Sequence, residues 1–335
     1  MRRTTRAVLI VAITLVLASS AGALWLRHLL SPVKPEAPAI SLTVARGVTL
    51  SALARTLADA GQVRSAFATE WLGRLGGHAT QLQAGEYEIS AAWSTGEILD
   101  HIARGRVKTY VTVLPEGLRA TEIADRLASA ELVDRDAFVR AVNDETLARS
   151  LGIEGATLEG YLFPETYRVP RDLPADKLAG LMVGQFRAVW LEIEPIARER
   201  GLSMREVVTL ASIVEKETGA AEERPVIASV FLNRLEKGMR LETDPTVIYG
   251  IPDFDGNLKR VHLEDASNPY NTYRISGLPP GPIASPGADA LRAVVEPAET
   301  EYLYFVSKND GTHHFSRSYR EHVKAVNRFQ RRKRQ

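Results

Sequence analysis

The stretch SMREVVTLASIVEKETG, residues 203 to 219, combines a strong helix signal with two closely spaced glutamates. Ser203 and Glu206 have the spacing of a capping box, which predicts a helix start. The apolar residues that follow recur every three or four positions, as one buried helix face requires: Val207, Leu210, Ala211 and Val214. At about 100° per residue, Glu215 and Glu217 flank this face, while Lys216 points away from it. The pattern predicts a helix whose last turn carries two carboxylates beside the core.

One of these two carboxylates is a candidate acid or base. A carboxyl group held against apolar side chains has its pKa raised by desolvation, as a general acid needs. An acidic side chain is also poorly placed at the negative end of the helix dipole, which suggests a functional reason for it. The competing interpretation is a solvated, charged helix terminus. Helical geometry alone does not choose between Glu215 and Glu217.

The composition is that of an ordinary globular protein. Its 335 residues are enough for two domains, and 45% are hydrophobic against 25% charged. The 42 Lys and Arg residues nearly balance 41 Asp and Glu residues, so no strong positive field indicates a nucleic-acid partner. The chain has no cysteine, which excludes thiol nucleophiles, disulfides and Cys-based metal sites.

An uncharged apolar run covers residues 7 to 26 and follows three arginines. A helix of that length spans the roughly 30 Å hydrocarbon core of a bilayer. The preceding basic residues predict that residues 1 to 6 are cytoplasmic and that the rest of the chain lies outside. A cleaved signal peptide ending near Ala21 is the alternative. The run continues past that site to Leu26, which favours a retained transmembrane anchor.

A small α/β subdomain is predicted over residues 41 to 108, after a proline-rich linker over residues 27 to 40 that we expect to be a stiff, extended spacer. The predicted order is strand, helix, helix and strand, followed by a helix that Ser94 and Glu97 begin as a capping box. This order, with V-x-x-G-x-T-L at its start, resembles a LysM domain, a module that binds N-acetylglucosamine polymers. A docking domain without sugar affinity is the alternative.

A larger domain is predicted over residues 109 to 335, and its strands and helices follow no regular βαβ rhythm, which favours an α+β fold. Periodicity predicts helices within residues 121 to 155 and over 175 to 200. The aromatic segment LEGYLFPETYRV, residues 158 to 169, predicts an irregular surface wall or groove lining. Two strands, at residues 301 to 307 and 312 to 316, precede a basic C-terminal helix.

Turn-rich segments after the helix supply candidate binding residues: TDPTVIYG (243 to 250), NPYNTY (268 to 273) and GLPPGPIASPG (277 to 287). Their Tyr, Asn, Thr and Pro residues can form a cleft with stacking faces and amide hydrogen bonds, as sugar recognition requires. The candidate cleft contacts are Glu215, Asn233, Asp244, Thr246, Tyr249, Asn271 and Tyr273. His313 and His314 are adjacent on a predicted strand, so they point to opposite faces and are interpreted as structural rather than as a zinc site.

Five motifs taken together resemble the endolytic murein transglycosylase family (MltG/YceG-like): ASIVEKET, ASVFLNRL, GMRLETDPTVIYG, YNTYRISGLPPGPIASPG and YLYFV followed by GTHHFS. The resemblance implies an enzyme of the bacterial inner membrane that cuts peptidoglycan glycan strands internally and leaves 1,6-anhydro-MurNAc ends. It implies that the second glutamate of E-K-E-T, Glu217, is the catalytic residue, with no metal or cofactor. Location and family also point to peptidoglycan synthases as partners.

Two alternatives to a lytic enzyme stay open. Glycosidases that add water usually pair two carboxylates, and the sequence places Glu222, Glu223 and Asp244 near the candidate helix. A hydrolytic muramidase is therefore one alternative. The other is a noncatalytic scaffold that binds peptidoglycan within the cell-wall synthesis machinery.

Overall fold

The strands of this protein form small separate sheets, while helices make up most of the chain. The computed structural model describes residues 2–171 and 173–331, with 51% helix and 9% strand, which confirms a mixed α+β fold. The helices are α1 (Arg2–Leu30), α2 (Leu50–Asp59), α3 (Ala66–Leu75), α4 (Thr95–Ala103), α5 (Ala120–Ser129), α6 (Arg135–Val142), α7 (Glu145–Ser150), α8 (Ala175–Glu199), α9 (Met204–Glu217), α10 (Arg224–Glu236), α11 (Asp244–Tyr249), α12 (Arg260–Glu264), α13 (Ala288–Val295) and α14 (Tyr319–Val326). The strands are β1 (Ala39–Val44), β2 (Gly85–Ser90), β3 (Tyr110–Val113), β4 (Thr166–Val169), β5 (Tyr304–Ser307) and β6 (His313–Ser316), which pair as β1-β2, β3-β4 and β5-β6.

The chain divides into two compact units. Unit 1 comprises Met1–Tyr110 and Arg168–Asp172, and unit 2 comprises Val111–Tyr167 and Leu173–Gln335. The first boundary lies close to the predicted one at residue 109. The return of residues 168–172 to unit 1 was not predicted, because no composition signal marks so short a segment.

Helix α1 is longer than the predicted apolar run. Its segment Val8–Leu30 is long and apolar enough to cross a membrane, and none of its residues is buried. A signal sequence near the N-terminus has the same properties. Residues 27–30 continue this helix, although they were predicted to belong to the linker. Beyond the helix, the predicted linker is bonded to unit 1, because the amides of Val33 and Lys34 donate to Ala91 O at 2.9 and 3.1 Å.

Unit 1 has the predicted order of strand, helix, helix and strand. Strands β1 and β2 pair antiparallel, with Ala39 opposite Ser90 and Val44 opposite Gly85. The predicted Ser94–Glu97 capping box begins α4. Alternating strand residues and one face of α2 and α4 form the core, because these positions point inward at the strand and helix periods. Its buried members are Val44, Leu53, Leu57, Val63, Tyr87, Ile89, Ile98 and Ile102.

Helix α9 is the central helix of unit 2, and α8, α10 and α13 pack against it. The four residues of its predicted apolar face are all buried, and Ser203 and Glu206 form the predicted capping box. Val208, Thr209, Ser212 and Ile213 are buried as well, so the helix is enclosed on nearly all sides over 207–214. A single buried face was predicted; a helix surrounded by several others instead buries its whole circumference.

Two regions of unit 2 differ from the sequence-based expectation. The segment at 158–169 is not a surface wall, because Leu158, Tyr161 and Leu162 are at most 2% exposed and its last four residues form β4. Helices α11, α12 and α13 were not predicted. The first two are only six and five residues long and lie among turn signals, so hydrophobic periodicity has too few positions to identify them.

Candidate active site

Glu217 is the last residue of α9 and lies in a cleft of about 360 Å³. The next residue, Thr218, is extended, and its hydroxyl donates to Val214 O at 2.5 Å, which satisfies a carbonyl of the last turn. Lys216 is exposed, as predicted, and its Nζ donates to Gly117 O at 3.1 Å. The helix end therefore holds Glu217 in the cleft while its neighbour faces outward.

Acidic and aromatic side chains both line the cleft. Its lining residues come from α9, α10, α11, β5, α14 and the loops between them: Glu217, Arg234, Leu241, Glu242, Asp244, Tyr273, Tyr304, Phe305, Tyr319 and His322. The rings of Tyr304 and His322 stack with centroids 5.3 Å apart. Polar groups beside flat ring faces are the arrangement that binds sugars, whose C–H faces pack on rings and whose hydroxyls need hydrogen-bond partners.

Burial raises the pKa of Glu217, and the negative charge of Asp244 raises it further. A hydrogen bond from the Thr243 hydroxyl and the positive charges of His313 and Arg234 oppose this shift. The net direction is upward because desolvation of the carboxylate is the largest of these effects. The position at the negative end of the α9 dipole favours the neutral acid in the same way. Glu217 is thus a carboxyl group that keeps its proton to higher pH than usual.

Glu215 has a different environment, although it lies only two residues earlier. Its side chain is 6% exposed and accepts hydrogen bonds from Arg224 Nη2 at 2.9 Å and from Gly287 N at 3.0 Å. Gly287 is the N-cap residue of α13, so the carboxylate joins α9 to α10 and to the positive end of α13. Glu215 is not among the residues that line the Glu217 cleft, and its side chain connects three helices.

Two of the predicted cleft contacts line the cleft. Asp244 is the first residue of α11, and its Oδ1 accepts a hydrogen bond from the Tyr273 hydroxyl at 2.8 Å. Both side chains line the same cleft as Glu217. Burial and the charge of Asp244 raise the pKa of Tyr273. The phenol therefore stays protonated and acts as a hydrogen-bond donor at neutral pH.

Three other predicted contacts are not among the residues that line the cleft, and their side chains bond backbone carbonyls instead. Asn233 Nδ2 donates to Thr300 O and Tyr302 O at 2.8 and 3.0 Å. Asn271 is fully buried and its amide donates to the carbonyls of His262, Leu263 and Asp265. Thr246 is fully buried and donates to Thr243 O at 2.8 Å. Polar side chains in turn-rich segments often satisfy buried backbone groups, and sequence alone did not separate that use from substrate contact.

Tyr249, the remaining predicted contact, lies in a second, smaller cavity of about 130 Å³. Its hydroxyl donates to Glu159 Oε2 at 3.2 Å, and the amide of Ala120 donates to both oxygens of the same carboxylate. Glu159 is buried, and desolvation raises its pKa to about 7 despite these hydrogen bonds. The role of Tyr249 as a contact in the Glu217 cleft is thus corrected, and Glu159 is a buried titratable group that the sequence did not reveal.

We expect Glu159→Gln to stabilise the protein at pH 8 and to change its stability little at pH 5. The carboxylate must ionise in a buried site as pH rises, because its folded pKa of about 7 exceeds the ordinary value of 4.5. The folded state then binds more protons than the unfolded state between these values, so wild-type stability falls by about 2.5 kcal/mol from pH 5 to pH 8. Denaturant unfolding of both proteins at the two pH values measures the difference. Equal curves at pH 8 would contradict the assignment.

Several residues of the site were missed by the sequence-based reasoning. Arg234 is buried and lines the cleft, and its guanidinium donates to Leu303 O and Leu241 O at 2.7 and 2.8 Å, which joins the residue before β5 to the loop after α10. The Nδ1 atom of His313 lies 2.7 Å from Glu223 Oε2. Arg234 is the charged residue inside the mostly apolar motif ASVFLNRL, and a charge in such a motif was a signal that could have identified it. Nothing in the local pattern indicated the His313–Glu223 pair, which joins residues 90 positions apart.

Comparison with known proteins identifies relatives over most of the chain. The model of the YceG-like family matches residues 42–328. The endolytic murein transglycosylase of Bacillus subtilis (strain 168) is 30% identical over 323 residues, which cover 91% of this chain and 89% of the relative. The endolytic murein transglycosylase of Streptococcus pneumoniae (strain D39) is 26% identical, and the match covers 86% of this chain but only 58% of that relative.

The chain also matches a solved structure of a protein described as YceG-like. A YceG-like protein from Listeria monocytogenes superposes with a TM-score of 0.60 at 30% sequence identity, covering 86% of this chain and 98% of that one. The family match includes residues of both compact units and every residue that lines the Glu217 cleft. On its fold and its sequence, the chain belongs to the YceG-like family.

Proposed function

We propose that this protein is an endolytic lytic transglycosylase that cleaves the bond between N-acetylmuramic acid and N-acetylglucosamine inside peptidoglycan strands. The observation that carries the proposal is the position of Glu217, a carboxyl group of raised pKa in a cleft with both polar and aromatic walls. The relatives named endolytic murein transglycosylase support the substrate class.

Glu217 would act first as general acid and then as general base. Its proton goes to the oxygen that joins C1 of the muramic acid to the glucosamine, and the C1–O bond breaks. The Glu217 carboxylate then takes the proton of the muramyl C6 hydroxyl, whose oxygen bonds to C1 and closes the 1,6-anhydro ring. The carboxyl group ends the cycle protonated, no water is consumed, and one residue serves both steps.

Product analysis distinguishes this reaction from hydrolysis. Purified peptidoglycan sacculi digested with the full chain should release fragments that end in 1,6-anhydro-muramic acid and lack the mass of one added water. Asp244 and Glu242 line the same cleft, so a second carboxylate for a hydrolytic muramidase is available. Products with reducing muramic acid ends would replace the lytic proposal with this alternative.

We expect Asp244→Asn to shift the alkaline limb of the pH profile of kcat/KM to lower pH. Activity requires protonated Glu217, so it falls as pH rises through the Glu217 pKa. The charge of Asp244 raises that pKa, and its removal lowers it. The anhydro product should persist, because Asp244 is not a reacting group in the lytic mechanism.

The matched control for this profile is Asp253→Asn, which makes the same chemical change at an exposed loop position. Asp253 has a φ of 48°, a conformation that asparagine tolerates, so the backbone should not change. Its profile should overlay that of the wild type. An Asp244→Asn enzyme with an unshifted limb would contradict the electrostatic coupling.

We also propose a location for the enzyme and a role for unit 1. The exposed apolar segment Val8–Leu30 supports a single-pass anchor in the bacterial inner membrane, with the N-terminus cytoplasmic and the catalytic unit outside. The strand and helix order of unit 1 supports a LysM-like module that contacts glycan. Such a location would place the enzyme beside peptidoglycan synthases as partners.

A noncatalytic scaffold remains the second candidate, and it predicts no cleavage product at all.

A further inference from the structure

Helix α3 in unit 1 carries an apolar face without a partner in the described part of the chain. Phe67, Trp71 and Leu75 follow one another at four-residue spacing and are 77%, 45% and 67% exposed. The spacing places all three on one side of the helix, within about 80° of arc at 100° per residue. Thr69 and Gly73, on the opposite side of the helix, are buried. Contiguous exposed apolar side chains of this size mark an interaction surface.

The start of α3 is bonded to the chain where it leaves α1. Arg64, which directly precedes the α3 N-cap residue Ser65, donates from Nη2 to Pro32 O at 2.7 Å and to Val33 O at 3.2 Å. Helix α1 ends at Leu30 and also contacts α3. The amides of Val33 and Lys34 donate to Ala91 O. The residues directly after α1 are therefore bonded both to Arg64 and to Ala91. The apolar face of α3 therefore begins beside the end of the segment that is apolar enough to cross a membrane.

The charges of α3 allow its outer face to approach a membrane. Glu70 is the acidic residue of the helix, and its carboxylate accepts hydrogen bonds from Ser51 at 3.0 Å and Arg74 at 2.5 Å. Arg74 is itself exposed, next to Leu75. Helices that lie in the headgroup layer of a bilayer typically combine a tryptophan, other apolar side chains and a flanking basic residue. Helix α3 has this composition on its exposed face.

We propose that α3 is a second membrane contact, with Phe67, Trp71 and Leu75 inserted into the headgroup layer of the leaflet from which α1 emerges. The inference rests on the proposed anchoring by α1 and goes beyond it. One helix across a bilayer leaves a domain free to tilt, whereas a second contact beside it fixes the orientation of unit 1 on the membrane surface.

The absence of cysteine makes site-directed spin labelling the direct test. Single cysteines replace Phe67, Trp71 or Leu75 in the full chain reconstituted in lipid nanodiscs, and each carries a nitroxide. These side chains are exposed, so the substitutions remove little core packing. Collision with oxygen should exceed collision with a water-soluble nickel chelate at all three positions. A label at Glu236, an exposed residue of unit 2, should show the reverse.

A label at Val16, in the middle of the candidate span, separates the two proposals. If Val16 is in lipid and the three α3 labels are in water, the anchor stands and the α3 contact is overturned; the apolar face would then be a docking site for a protein. If the Val16 label is in water, the anchoring proposal fails and the α3 contact fails with it. Lipid exposure at Val16 and at all three α3 positions supports both.

Discussion

Replacing Glu217 with glutamine should reduce the rate of glycan cleavage by about 10³-fold, within the range expected for loss of a general acid or base. Glutamine keeps the shape of the side chain and can still accept the hydrogen bond from Thr243, but it has no proton to transfer. Release of anhydro-muropeptides from purified sacculi, followed by mass spectrometry, measures the loss. Binding to sacculi should persist, because the cleft walls are unchanged.

The matched control is Glu222→Gln, which removes an exposed carboxylate five residues further along the chain. This variant should cleave at close to the wild-type rate. A Glu217→Gln protein that still released anhydro ends at the wild-type rate would falsify the single-residue mechanism. Equal and undetectable cleavage by the wild type and both variants would instead favour the noncatalytic scaffold.

Replacing Arg224 with methionine should lower the stability of unit 2 by about 3 kcal/mol, as expected when one partner of a buried ion pair is removed. The Arg224 side chain is 12% exposed and bonds the 6% exposed Glu215 at 2.9 Å and Glu116 at 3.1 Å. Without the guanidinium, Glu215 becomes a buried charge whose carboxylate keeps the hydrogen bond from the amide of Gly287. Native-state hydrogen exchange of the α9 and α10 amides reports the change in opening free energy.

An exposed ion pair provides the comparison for Arg224. Arg149 bonds Glu145 at 2.6 Å, but these side chains are 75% and 62% exposed. Arg149→Met should therefore change the opening free energy by less than about 0.5 kcal/mol. Similar effects of the two substitutions would show that burial does not set the strength of the Arg224 contacts.

The elements of this protein were predictable wherever they depend on neighbouring residues. The capping boxes at Ser94 and Ser203, the two strands of unit 1 and the long helix α8 all follow from local hydrogen-bonding chemistry and from helix and strand periods. The antiparallel pairing of the two strands was not predicted, because it joins segments far apart in the chain. The short helices α11 and α12 and the burial of residues 158–162 were not predictable in this way. Their conformation depends on contacts with distant segments, and so few residues carry no periodic signal.

The candidate site shows the same division. Asp244 and Tyr273 were predicted to line the cleft and do so. Asn271 and Thr246 have equally suitable side chains, yet they are fully buried and bond backbone carbonyls. Residue type is the same for a group that binds substrate and for one that satisfies a buried carbonyl, so only the position of the neighbouring backbone separates them.

The two glutamates at the end of α9 show which properties follow from the sequence and which depend on the tertiary structure. The sequence by itself determined a capped helix with an apolar face, two carboxylates in its last turn and an apolar N-terminal segment. The family resemblance pointed to Glu217, but only the tertiary structure gives the physical difference between the carboxylates. Arg224 on the next helix and the distant N-terminus of α13 bond Glu215, whereas Glu217 lies in a cleft and its pKa rises. A carboxyl group takes its protonation state from the charges and solvent around it, and those surroundings exist only after the chain has folded.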